Sequence, residues 1–186
     1  MSLKKFSLVV LIYNIFVILM GAVVRATGSG AGCGSHWPSC KGEIIPTSPQ
    51  LETLIEFTHR ITSGLSVILI VALFIWVYRK YDKKTKTRKA AFFVLLFILF
   101  EALIGAGLVL FELVGENSSI ARAIIIAVHL VNTFLLLASN VLLFEWIRFG
   151  EPNKIIITRN AQKIFIFLAM LFLLLGASGA ITALGD

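Results

Sequence analysis

The sequence predicts an all-α protein, a polytopic bundle of transmembrane helices, and three observations lead there. Of its 186 residues 58% are hydrophobic and the mean hydropathy is +0.93, more apolar than a water-soluble domain of this length. Five apolar stretches, each near or above the ~18 residues that span a bilayer, recur at 6–24, 61–78, 90–111, 123–144 and 164–185. Only Glu101 is charged inside them. Hydrocarbon offers no water to backbone N–H and C=O groups, so each stretch has to be helical.

The first stretch follows Lys4 and Lys5, as a cleavable signal would. Its apolar run exceeds the roughly 7–15 residues of a signal, and no A-x-A-like site precedes the polar loop, so it reads as a retained helix. The net charge of +7 is unevenly spread. Of 17 Lys and Arg, all but Arg25, Lys41, Arg60 and Arg122 fall in the N-terminal tail and in the segments 79–89 and 148–163. That is the positive-inside pattern, which sets orientation and gives no reason to invoke nucleic acid. It predicts a multi-pass protein of the cell (plasma) membrane with a cytoplasmic N-terminus, an outer loop at 25–60 and Asp186 outside. The run "RKYDKKTKTRK" then lies as a solvated loop against anionic lipid headgroups.

The outer loop holds Gly28, Gly30, Gly32, Gly34 and Gly42 together with Pro38, Pro46 and Pro49, a composition ordered by turns. After it, "SPQLETLIEFTHR" predicts a helix from about Ser48, capped by Ser48 or Thr47, with Glu52 in its first turn and Leu51, Leu54 and Ile55 in apolar register. This helix leads into the second span. The later connections are a short outer loop at 112–122 and two basic inner ones. An echo joins "GAVVRATG" at 21–28 to "GAITALG" at 179–185. It divides the chain into a four-helix unit at 1–147 and, at 148–186, a basic loop with a fifth helix that is a possible start of a second repeat.

Two histidines carry the chemistry. His59 stands at the outer mouth of the second helix and His129 about two turns inside the fourth, at similar depth. Ionisable side chains within a membrane are costly and mark function by default. Two imidazoles from different helices facing one cavity suit axial ligation of a haem; alternatively each only hydrogen-bonds across the bundle. Glu56 lies three residues before His59, so on a helix the two share a face. It could stabilise positive charge, move protons or orient the imidazole, or it could be a plain helix-start carboxylate. Arg25 and Arg60 at the outer helix ends could clamp tetrapyrrole propionates or snorkel to headgroups. Cys33 and Cys40 bracket "GSHWPS". A structural bridge there, a redox-active pair, or a zinc site completed by His36 are the alternatives. Trp37 suits the interface. Mid-membrane, Glu101 should pair inward with Asn14, Asn132 or Asn140 and could serve a proton path, with Gly105 and Gly107 allowing close helix approach.

"GAVVRATGSGAGCGSHWPSCKGEIIP", "EFTHR" and "AVHL", in that order and spacing, resemble the haem A synthase family. Its pattern is a V-R-x-T-G-S-G-like run, two cysteines seven apart around W-P, E-x-x-H-R at the second helix, and a histidine in the fourth. The resemblance covers nearly the whole chain. It implies an oxidoreductase that converts the C8 methyl of haem O stepwise to a formyl group, with oxygen from water, giving haem A for cytochrome oxidase assembly. It implies His59 and His129 as axial ligands, Glu56 as the essential carboxylate, and Cys33–Cys40 as an outer-loop disulfide. Family members with eight helices hold substrate haem in this half and a haem b cofactor in the other. The present chain carries no second histidine pair, so against that pattern it is either a fragment or a short chain that pairs with another; the expected partners are haem O synthase or a second copy or half of itself. The rival readings are a bis-histidine cytochrome b that passes electrons without modifying its haem, and a non-catalytic assembly or transport subunit.

Overall fold

The computed structural model describes residues 1–47, 50–115, 117–152 and 158–182. Among them are five α-helices and no β-strand: α1 Leu3–Ala26, α2 Leu51–Lys80, α3 Lys86–Leu110, α4 Ile120–Phe149 and α5 Arg159–Thr182, with a 3-10 turn at Ser29–Ala31. All five helices are long and apolar enough to cross a membrane, so this is a multi-pass membrane protein.

Polar residues just outside the apolar stretches start the helices. Ser2 Oγ accepts from the Lys5 N–H, Thr85 Oγ1 from Arg88 and Ser119 Oγ from Arg122, each taking one donor that the first turn leaves free. In α2 the expectation of a Ser48 or Thr47 cap fails for Thr47. Its N–H and hydroxyl both turn back to the Glu43 carboxylate, at 2.9 and 3.3 Å, and the helix begins at Leu51 after Gln50, whose side chain makes no cap bond. Ser48 lies outside the described residues. The helix start still precedes the apolar stretch at 61–78 by ten residues, which makes Glu56 and His59 helical.

The main packing runs α1 on α2, α2 on α3, α3 on α4 and α4 back on α1. The four helices form a ring, with α2 and α4 on one diagonal. The continuous apolar core fills only the end with the basic connections, where Leu3, Phe6 and Val10 meet Ile70, Leu73, Val77, Ala91, Val94, Leu136, Leu143 and Ile147. That end is also tied by Glu151, which accepts from the N–H and the hydroxyl of Thr87, both at 2.7 Å, at the first turn of α3. At the opposite end the pattern changes. In 18–26, 57–65 and 124–131 no residue is fully buried.

Helix α5 packs on α4. Phe134 and Phe172 meet edge to face with centroids 6.1 Å apart, and Arg25 Nη2 donates to the Gly179 carbonyl at 2.9 Å. The echo of the first helix at 179–185 runs past Thr182, so its last residues lie outside the described ones.

Candidate functional site

The loop after α1 is a disulfide-closed cap docked on the first turns of α2. Cys33 and Cys40 are bonded to each other and fully buried, which removes both sulfurs as thiolate ligands. Gly32 is what lets the loop come close. A Cβ there would lie 2.6 Å from the carbonyl carbon and oxygen of Glu52, closer than any side chain tolerates. The approach is sealed by Thr53, whose hydroxyl donates to the Gly32 carbonyl at 2.8 Å and accepts from Lys41 Nζ at 3.2 Å.

Glu56 is buried at the centre of this docking surface. Its Oε2 accepts from the Cys33 N–H at 2.7 Å, and its Oε1 accepts from Arg60 Nε and Nη2 at 3.1 and 2.5 Å. Arg60 also donates through Nη1 to the carbonyls of His36 and Ser39, both at 2.6 Å. An i, i+4 pair on one helix face thus reaches both arms of the disulfide loop. Side chains of the pair are 4% and 12% exposed, so the charges neutralise each other out of water.

His59 and His129 stand eight and nine residues into α2 and α4, at matched depths of ~12–14 Å from helix starts on the same face. They lie on the diagonal of the ring. Both rings are half-buried, and in each Nδ1 is buried with no hydrogen-bond partner among the described residues. Both rings also rest over glycine on the preceding helix. A Cβ on Gly21 would come to 3.1 Å from His59 Cε1, and one on Gly105 to 3.8 Å from His129 Cε1.

Glu101 finds its partner in Asn132, one of the three asparagines the sequence offered. Asn132 Nδ2 donates to Oε2 at 2.5 Å and to the Phe97 carbonyl at 2.9 Å. Thr133 Oγ1 donates to Oε1 at 2.5 Å, and His129 Nε2 stands 3.4 Å from the same oxygen. Asn14 pairs instead with Ser66, and Asn140 lies fully buried further along α4.

A cytochrome oxidase assembly family, COX15-CtaA, matches residues 4–186. The chain belongs to that family. It is similar to a protoheme IX farnesyltransferase of Thermus thermophilus, 51% identical over 178 residues that make up 95% of this chain and 29% of that protein. It is similar also to heme A synthases of Halalkalibacterium halodurans, at 40% over 89% of this chain and 53% of the relative, and of an Exiguobacterium species, at 34% over 96% and 57%. The chain therefore spans about half, or less, of the curated relatives it matches.

For this COX15-CtaA member the structure brings Glu56, Arg60, Cys33 and Cys40 into one network and sets His59 beneath it. Arg25 is placed elsewhere, exposed and bound to α5. Sequence reasoning missed Thr53, Thr133 and the seat at Gly21, and offered Gly105 only as a point of close helix approach without its contact to His129. Thr133 stands four residues after His129 on one helix face, a signal that was present but common. Gly21 opens the quoted "GAVVRATG", where its role depends on a contact from another helix.

Proposed function

We propose that this chain is the haem-binding part of a haem A synthase, holding haem O between His59 and His129 while the C8 methyl is oxidised stepwise to a formyl group. The carrying observation is a pair of imidazoles at one depth on diagonal helices, each with a buried, unpartnered ring nitrogen, in the end of the bundle that no apolar core fills. Imidazole nitrogens without a partner are the donors a haem iron takes, so the residues fit the group. Relatives named heme A synthase, at 40% and 34% identity, support the same chemistry. Because the chain covers 53% and 57% of them, the reaction is assigned to it acting with a second half or a second copy, where a haem b would serve as electron-transfer cofactor. Bound haem O supplies the carbon that is oxidised.

Glu56, one helical turn from His59, would hold negative charge beside the methyl carbon and take up a proton as water adds. Its bonds to Arg60 and to the Cys33 N–H fix the carboxylate before substrate arrives. Arg25 and Arg60 would place positive charge at the mouth for the propionates. The share of Arg60 is the smaller, since Glu56 and two loop carbonyls already take its donors. The charge asymmetry supports a cytoplasmic N-terminus and a disulfide loop outside the plasma membrane. The relative named for protoheme farnesylation supports a haem O synthase as neighbouring partner.

Pigment bound by the purified full chain tests the reading. His59→Ala and His129→Ala should each remove the low-spin haem signal, and Glu56→Gln should keep haem O bound but unconverted. Unchanged spectrum and stoichiometry in both histidine variants would sink the assignment. A wild-type pigment of haem b alone would favour the electron carrier.

A further inference from the structure

The two imidazoles of the site differ in their surroundings. Near His59 both oxygens of the carboxylate on its own helix, Glu56, accept from the loop and from Arg60, and neither reaches the imidazole by a hydrogen bond among the described residues. Near His129 a second carboxyl group, that of Glu101, stands 3.4 Å from Nε2, at ion-pair distance, on the helix that also supplies the Gly105 seat. This group is itself held. Asn132 fixes Oε2 and is anchored in turn on the Phe97 carbonyl, while Thr133 fixes Oε1. Thr133 Oγ1 also lies 3.0 Å from the carbonyl of His129, so one hydroxyl links the carboxyl to the backbone that carries the imidazole.

A carboxyl group inside a membrane is expensive, and helix packing alone does not require one. The costs of placing it here are offset by donors that converge from a single helix face, at 129, 132 and 133. Metal-bound histidines commonly pass their second N–H to a carboxylate, which fixes the tautomer, orients the ring and strengthens the imidazole as a donor.

We propose that Glu101 is a positioning residue for His129, the member of the pair whose orientation and donor strength are set by hydrogen bonding, while His59 is set by contact with Gly21. The inference rests on the haem reading above. Glu101 acts through His129 and touches no reacting atom.

The test uses the full chain in detergent, loaded with haem, and reads affinity, the low-spin electron paramagnetic resonance signal and the midpoint potential. Glu101→Leu should weaken haem binding about 10- to 100-fold, move the signal toward high spin and raise the potential, because a weaker imidazole donor favours ferrous iron. Glu101→Gln keeps an acceptor oxygen toward His129 and should restore the low-spin signal and most of the affinity. Thr133→Val, which leaves the carboxyl in place and frees its Oε1, should shift the signal in the same direction by less, and it serves if the leucine variant does not fold. Suppose His129→Ala abolishes the low-spin signal while Glu101→Leu and Thr133→Val leave affinity, signal and potential at wild-type values. The positioning role is then overturned and the haem reading stands. A low-spin signal that survives His129→Ala overturns both.

Discussion

At the same depth of one bundle, His59 and His129 are secured by different means. The α1–α2 side is built from charge and backbone: Glu56, Arg60 and Thr53 bind the disulfide loop, and the imidazole is left to pack on Gly21. Among the described residues the α3–α4 side has no such loop contact at its histidine, and it relies on three polar side chains in mid-span. A loop can order a helix end only where it lands, in the first turns. Farther along, where α4 carries His129 and Asn132 against α3, the polar groups have to come from the helices themselves. One imidazole is therefore sensitive to the loop and to ring clearance, the other to the polar side chains around it.

The most damaging way to break the loop side is Glu56→Ala. It leaves the Arg60 guanidinium, 12% exposed, without its carboxylate and frees the Cys33 N–H. Removing one partner of a buried pair typically costs about 3–5 kcal/mol. Thermal unfolding of the purified chain should show a loss of that order, and limited proteolysis should cut the 25–60 loop faster. Equal protection of the loop in variant and wild type would mean that the network does not hold it.

Ring clearance sharpens the same comparison. Gly21→Ala puts a methyl group 3.1 Å from His59 Cε1, tighter than ordinary contact, whereas Gly105→Ala meets His129 Cε1 at 3.8 Å. Overpacking of this kind costs about 1–3 kcal/mol, so Gly21→Ala should lower stability or haem affinity correspondingly and Gly105→Ala should change little. The reading is the haem dissociation constant and the low-spin signal of each variant side by side. Two equal responses would erase the distinction between the imidazoles.

The spans, the loop and the histidines were legible because hydropathy and charge report them directly. Continuous apolar runs gave five helices, and all five are there. The partner of Glu101 was not legible. Helix α3 is apolar around its whole circumference, so no stripe marks its inward face, and Asn14, Asn132 and Asn140 could not be ranked until the packing of α3 on α4 chose among them. The start of α2 differs for a local reason: a threonine caps a helix by turning its hydroxyl oxygen to a first-turn N–H, and the Glu43 carboxylate draws both the N–H and the hydroxyl of Thr47 back to itself. The contact of Arg25 with α5 was not legible either, since the carbonyl it binds is 154 residues away in sequence.

The smallest expected effect lies at the other end of the bundle and serves as the reference for both imidazoles. Burial raises the Glu151 carboxyl, but the hydroxyl and N–H of Thr87, the Lys86 backbone and the Lys86 charge outweigh it and hold the group below its ordinary value. Since the folded chain depresses this group, its contribution is whole above the ordinary carboxylate range. It fades as pH falls below that range and is gone once the pH passes the depressed value. Glu151→Gln weakens a cap supplied from one helix end to another and should cost about 1 kcal/mol at neutral pH. The gap between variant and wild type should close on acidification. Neither the haem signal nor the loop's resistance to protease should move, because the packed core from Leu73 to Leu143 stands between Thr87 and the histidines. A shift of the haem signal in Glu151→Gln would mean that the two ends of the bundle are coupled, and that the filled end is part of what positions the rings.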